Sequence, residues 1–321
     1  MKFSLRPIKL DLKVNWKISR NESLSKQNFV VALEDGPLKG MGEVAPNIRY
    51  GESPKAVQAQ FDKIPDFASP ENALEFAHEE DLFHSLKCGL VCAAVELLSK
   101  KKNISIEKQL NVAPVETLAT SMSVPIMEEN LLKDYMSSIA RFPYVKVKVN
   151  QDNAASFTQA VARYSDNPIR VDANEAFESS KSFMDFLLAV KDLNIQFIEQ
   201  PFKASDAALY REIKGKSPFE IMADESIEDA ADFDSLAAQF DSVNIKLMKT
   251  GGYLKALELI QKAREKKLKV MLGCMIESSL GIACAMRLGS LADYFDLDGS
   301  LLIKNDPFQN IIENNGRLSL N

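Results

Sequence analysis

Apolar and polar positions alternate from the start of the chain. MKFSLRPIKLDLKV carries an apolar side chain at almost every second position, the period of a half-buried strand. Two similar runs, expected at 28–34 and 39–44, flank the turn Asp35-Gly36-Pro37 and predict a hairpin. Helical periodicity follows at 53–64, 71–76 and 80–100. Strands followed by helices indicate a small α+β unit. From residue 118 the order becomes strand, helix, strand, helix. Strands are expected at 118–124, 144–149, 169–172, 196–200, 220–224, 242–247, 269–273 and 294–298. Markers near the ends of the last seven (Lys148, Asp172, Glu199, Asp224, Lys246, Gly273, Asp296) are spaced by 22 to 27 residues. A near-constant βα period predicts an α/β fold, a (β/α)8 barrel of the TIM type, behind an N-terminal α+β capping domain. The expected division is 1–117 for the cap and 118–299 for the barrel, with 300–321 packing back on the cap.

Composition narrows the classes. The chain has 321 residues, 46% hydrophobic and 26% charged, with a net charge of −6. That length buries a large core without staples, and the acidic balance argues against a nucleic-acid partner. No apolar run approaches the ~20 residues of a membrane span, and the alternating start lacks a signal-peptide core. Cys88, Cys92, Cys274 and Cys284 lack zinc-type spacing and read as buried thiols of a cytoplasmic protein. The expected partners are a small-molecule substrate and, at most, further copies of the same chain.

The chemical signal is charge where a barrel strand should be apolar. In Val145-Lys146-Val147-Lys148-Val149 the valines face the helices, so both lysines face the interior. Val243-Asn244-Ile245-Lys246-Leu247 repeats the pattern, and Asp296-Leu297-Asp298 does so on strand eight. Asp172, Glu199 and Asp224 end strands three, four and five. One such charge is usually a solvated edge strand. A succession of them at the C-terminal ends, where barrel active sites lie, is not. Buried charges must be paired or bind metal. Three convergent carboxylates suit a hard divalent cation, one Mg²⁺ per subunit. Lys148 on strand two and Lys246 on strand six are diametrically opposed in a ring of eight. Opposed amines can serve both faces of one carbon: one takes the proton α to a carboxylate and the other returns one, inverting the centre. Lys146 and the metal would lower the pKa of the working base. Asn174 and Asn244 are expected in supporting roles. His78 and His84 fall at no barrel strand end and read as packing or surface residues.

These residues resemble the enolase superfamily. The carrying segments are Arg49-Tyr50-Gly51-Glu52-Ser53, Lys146-Val147-Lys148, Val171-Asp172-Ala173-Asn174-Glu175, Ile198-Glu199-Gln200-Pro201, Ala223-Asp224-Glu225-Ser226, the run from Asn244 to Gly252, and Asp296-Leu297-Asp298-Gly299. More narrowly, the chain is similar to dipeptide epimerases of the L-Ala-D/L-Glu type. By that resemblance Asp296 and Asp298 hold the α-ammonium of a dipeptide, and cap loops at 16–28 and 45–53 close the barrel mouth. Arg20, or equally Asn21, falls where relatives keep an arginine for a glutamate side chain; Trp16 and Ile18 in the same loop favour an apolar one. Tyr50, Ser121, Glu277 and Ser278 are counted with the substrate-binding residues. Competing readings are o-succinylbenzoate synthase or muconate cycloisomerase, N-acyl amino acid racemase, and a non-catalytic metabolite-binding barrel. The first two act on substrates without an ammonium group.

Overall fold

A computed structural model describes residues 1–17 and 22–321. Ile18, Arg20 and Asn21 lie outside the described residues. The cap is built on a three-stranded antiparallel sheet of β1 (Lys2–Lys17), β2 (Glu22–Asp35) and β3 (Leu38–Val44). Both long strands overrun the expected limits. β1 pairs with β2 from Lys2↔Glu34 to Asp11↔Ser25, and resumes after a register shift at Trp16↔Ser23 and Lys17↔Glu22. The stretch expected to be a loop from residue 16 is therefore largely a bulged hairpin arm. On β1 the alternation runs on through Leu12, Val14 and Trp16, whereas the β2 half, Glu22-Ser23-Leu24-Ser25-Lys26-Gln27, holds one apolar residue and no pattern marked it.

Four helices follow: α1 (Pro54–Phe61), α2 (Pro70–Glu79), α3 (His84–Lys102) and α4 (Ile106–Leu110). Ser53 and Ser69 cap α1 and α2 by accepting from Ala56 N and Asn72 N, each with a proline in the first turn, as helix starts favour. α3 is buried on nearly every side. It packs on β3 so closely that a Cβ at Gly40 or Gly42 would lie 2.0 or 2.1 Å from the Ala93 or Gly89 carbonyl oxygen. Its other side packs on the barrel, where a Cβ at Gly252 would meet Val91 at 2.9 Å.

Strand one of the barrel divides at Thr120 into β4 (Leu118–Ala119) and β5 (Ser121–Val124). The chain then runs α5 (Glu129–Ile139), β6 (Tyr144–Lys148), α6 (Ala154–Ala162), β7 (Ile169–Asp172), α7 (Ser180–Val190), β8 (Ile195–Glu199), α8 (Ala207–Ile213) and β9 (Glu220–Ala223). It continues with α9 (Phe233–Ala237), β10 (Ser242–Lys246), α10 (Leu247–Thr250), α11 (Tyr253–Glu265), β11 (Lys269–Gly273), α12 (Ser279–Met286), β12 (Tyr294–Asp296), β13 (Ile311–Asn314) and β14 (Arg317–Leu320). β5 to β12 form one eight-stranded parallel sheet in sequence order. Side chains join its first and last strands: Thr120 Oγ1 accepts from Leu297 N at 2.9 Å, and Ser121 Oγ donates to Asp296 Oδ1 at 2.7 Å. β4 leaves the barrel to pair with the β13–β14 hairpin. Before that hairpin the chain touches the cap, through Lys13 N to Leu302 O and Lys304 N to Asp11 O. Arg170, almost fully buried, fills the barrel floor; its guanidinium stacks 4.1 Å from the Tyr144 ring centroid and donates to Phe295 O at 2.6 Å. Among the described residues no helix is long and apolar enough to cross a membrane.

Candidate active site

Strand register sets the site. Lys148 is level with Asp172, and Asp172 with Glu199. On the other side Lys246 is level with Gly273, and Gly273 with Asp296. Adjacent parallel strands stand about 4.8 Å apart, so Lys148, Asp172 and Glu199 form one tier at the C-terminal end of the sheet. β6 and β10, which carry the two candidate bases, are four strands apart in the ring of eight.

Above this tier lies a cavity of about 350 Å³ whose walls come from both domains. The barrel contributes Lys146, Lys148, Asp224, Lys246, Asp296 and Asp298, and the cap contributes Trp16, Lys26 and Tyr50 among others. Asp172 and Glu199 lie behind the lysines and are fully buried. The Lys146 Nζ sits 2.6 Å from Asp296, 2.8 Å from Glu199 Oε2 and 3.1 Å from Asp172. Lys148 reaches Asp172 at 2.5 Å, and Lys246 reaches Asp224 Oδ2 at 2.8 Å. Lys249 is entirely enclosed and donates to Asp224 Oδ1 at 2.6 Å and to the Asp224 and Asn244 carbonyls.

The charges are interdependent. Burial disfavours the Lys146 ammonium, yet Asp172, Asp296 and Glu199 hold its pKa well above the usual value. Burial raises Asp172 too, but Lys146 and Lys148 outweigh it and bring the carboxyl down to about 2. Glu199 goes the other way, pushed up to about 7 by burial and by Asp172 beside it. Burial opposes the Lys246 charge, but Asp224 and Glu199 raise its pKa.

Asp172, Glu199 and Asp224 fit a hard divalent cation by their donor chemistry: three carboxylates on consecutive strands. Glu199 Oε2 accepts no well-directed hydrogen bond although the Lys146 Nζ is 2.8 Å away, which leaves its lone pairs for a cation. Among the described residues no three acidic, histidine or cysteine side chains already form a closed cage; ammonium groups sit on these carboxylates instead.

Residues 130–313 match the family described as enolase C-terminal domain-like. The chain belongs to this family. Its relatives there include an L-Ala-D/L-Glu epimerase of Escherichia coli, 32% identical with 88% of each chain covered. An N-acetyl-D-glutamate racemase of a Pseudoalteromonas species is 31% identical, covering 91% of this chain and 92% of the relative. A dipeptide epimerase of Methylococcus capsulatus, solved with Mg and L-Arg-D-Lys, superposes with a TM-score of 0.90 at 26% identity, covering 100% of this chain and 96% of the other.

Several expected placements need correction. Asp298 is not on strand eight: β12 ends at Asp296, and Asp298 opens a short 3-10 turn at Gly299–Leu301. It still lines the cavity, with Oδ2 accepting from Ser123 N at 2.7 Å. Glu277 and Ser278 do not line it. They turn toward the cap, where the buried Glu43 carboxylate accepts from Ser278 N at 2.9 Å, Ser278 Oγ at 2.5 Å and Gly281 N at 3.0 Å. Burial and the neighbouring Glu43 push the Glu277 carboxyl up to about 8. Ser121 is likewise behind the wall, bonded to Asp296. Asn244 does not reach the cavity but donates to Glu199 Oε1 at 2.9 Å. Asn174 does line it, in a left-handed turn at φ 45°, with its N–H on Asp172 Oδ1 at 3.1 Å.

Two residues lay in the quoted segments without a role. One is Lys249, the fixed partner of Asp224. The other is Gln200, at φ 41°, whose Oε1 accepts from Asp224 N at 2.8 Å and Ser226 N at 3.2 Å while Nε2 donates to Tyr210 and Ser226. It fixes the loop that presents Asp224. A charged or amide side chain in a motif signals burial, but not its partner.

Proposed function

We propose that this chain is a Mg²⁺-dependent dipeptide epimerase that inverts the α-carbon of the C-terminal residue of an L-Ala-Xaa-type substrate. The observation that carries the reading is Asp298. It is buried, lines the cavity and has no ion pair among the described residues. Burial and the adjacent Asp296 push its carboxyl up to about 6. Asp296 already has Lys146, so Asp298 is the carboxylate left to receive a cation, and the α-ammonium of a dipeptide supplies one at a distance from the reacting carbon.

The reaction is a proton exchange between two faces. One lysine, as the neutral amine, forms an N–H bond with the α-proton, and the C–H electrons pass into the carboxylate to give an ene-diolate. The other lysine, as ammonium, delivers a proton to the opposite face, which restores the carboxylate with inverted configuration. Asp172, Glu199 and Asp224 would hold Mg²⁺, which would supply positive charge to offset the charge that develops on the substrate carboxylate. Lys146 adds charge beside the same carboxylate, Asn244 orients Glu199, and Lys249 leaves only Asp224 Oδ2 for other partners. Trp16 and Tyr50 close the cavity on the cap side. The resemblance to the N-acetyl-D-glutamate racemase favours a second reading, racemisation of N-acyl amino acids, in which Asp298 would have no ammonium to meet. The four thiols are free, which supports a cytoplasmic setting; self-association is also compatible with the reading.

The experiment compares L-Ala-L-Xaa dipeptides with their N-acetylated forms in the Mg²⁺-loaded protein. Free dipeptides should be epimerised well and acetylated ones poorly. Asp298→Asn should lower kcat/KM for the free dipeptide by about one to two decades, the loss expected for a charge-assisted hydrogen bond. Equal turnover of both forms contradicts the ammonium role and favours the racemase.

A further inference from the structure

The two domains meet over a pair of carboxylates that the proposed reaction does not use. Glu43 lies near the end of the cap strand β3, Glu277 directly precedes the start of barrel helix α12, and both are buried. They border one small space: a Cβ at Gly281 would lie 2.2 Å from Glu277 Oε2 and 3.1 Å from Glu43 Oε2. They are not held alike. Glu43 accepts from Asn28 Nδ2 at 2.8 Å, Ser278 N at 2.9 Å, Ser278 Oγ at 2.5 Å and Gly281 N at 3.0 Å. Three of these donors open α12, where an anion is favoured. Glu277 accepts from a single donor among the described residues, Met275 N at 2.7 Å. Lys246 is the cation whose field reaches Glu277, and it is engaged with Asp224 at 2.8 Å. The other titratable groups around the pair are Cys88 and Cys92 on α3, with Cys284 of α12 behind them, and Cys274 on the cavity side, with Asp298 beyond it.

Two like charges in one buried space are unfavourable without a cation between them, so one proton stays. Burial raises both carboxyls, but the four donors of Glu43 pull against it. Glu43 therefore keeps the charge and Glu277 the proton. Burial and the Glu43 charge push the Glu277 carboxyl up to about 8. The contact also shapes the cavity. Asn28 spans it, donating to Ile276 O at 2.9 Å as well as to Glu43, and Met275 and Ile276 line the cavity. The cap thus grips the barrel segment that walls the cavity, and a charge on Glu277 would set two anions against each other at that grip.

We propose that Glu43 and Glu277 form a pH-sensitive latch between cap and barrel, a carboxylate on one beside a carboxylic acid on the other, which loosens when Glu277 gives up its proton. On opening, Glu277 returns to the ordinary carboxyl value of about 4.3. The closed arrangement holds the proton more tightly. It is therefore most stable below that value, loses stability as pH rises, and levels off above about 8. The test is hydrogen exchange by mass spectrometry on the Mg²⁺-loaded full chain, with peptides spanning 275–286 and with α6, away from the contact, as control. After division by the intrinsic base-catalysed rate, protection of 275–286 in the wild type should fall by about tenfold or more between pH 6 and pH 9. Glu277→Gln, which keeps the shape of the neutral acid, should lose that fall. Glu43→Gln removes the neighbouring charge and should complete the fall at lower pH. Asp298 titrates in the same window, so the difference between wild type and variant carries the result. No substrate enters the test, so its outcome stands apart from the epimerase reading. A fall that is absent from the wild type, persists in Glu277→Gln or is equal in α6 overturns the latch. Should Glu277→Gln not fold, an unmoved midpoint in Glu43→Gln overturns it alone.

Discussion

A methyl group at position 273 would lie 2.3 Å from Asn244 Oδ1. This explains why the seventh barrel strand carries no charge where its neighbours do. Gly273 leaves the space through which Asn244 on β10 reaches Glu199 on β8, past Asp224. Gly273→Ala should displace Asn244 and release Glu199, lowering kcat/KM by about tenfold or more, because such positioning effects reach that size from small shifts. An unchanged kcat/KM in the alanine variant would show that Asn244 does not set the carboxylate. Lys249 allows a related test. With its ammonium on Asp224 Oδ1, Lys249→Met should leave that oxygen buried and unpaired. Such a loss costs about 1–3 kcal/mol, to be read as reduced Tm together with altered Mg²⁺ affinity in titration. At this scale the sequence told which residues carry charge and which face they take. Their partners were hidden, because Ser278 meets Glu43 across 235 positions and no local pattern encodes that.

At the scale of elements, periodicity was informative where burial is one-sided or complete. The barrel strands are apolar outward and polar inward, and their regular spacing made the fold legible. The β2 half of the hairpin arm was not, since Glu22, Ser23, Ser25, Lys26 and Gln27 leave Leu24 as its one apolar residue. Asp298 was misplaced because Asp-Leu-Asp alternates like a strand, although the following Gly299 begins a 3-10 turn. The contact of β3 with α3 is set by Gly40, Gly42 and Gly89, with backbone on both sides. Gly42→Ala should therefore force backbone apart and destabilise the cap by about 1–3 kcal/mol, the usual cost of overpacking. Urea unfolding measures this, and a stability equal to wild type would contradict the close approach.

At the scale of the whole molecule, the cap supplies walls to a cavity whose floor belongs to the barrel, and buried carboxylates paired with lysines surround it. A ligand that binds only the folded protein stabilises it by mass action, about 2.7 kcal/mol at a hundred times its Kd. Mg²⁺ should raise Tm of the wild type, and Asp224→Asn should abolish the rise. A Tm indifferent to Mg²⁺ would remove the metal from the account. The central claim is that Lys148 and Lys246 address opposite faces of one carbon. It is tested by incubating Lys148→Ala and Lys246→Ala with each epimer of the preferred dipeptide in D2O and following α-deuterium by mass spectrometry. Each variant should fail to interconvert the epimers, and each should exchange the α-proton of a different epimer. Near wild-type interconversion by either variant, or exchange of the same epimer by both, contradicts it.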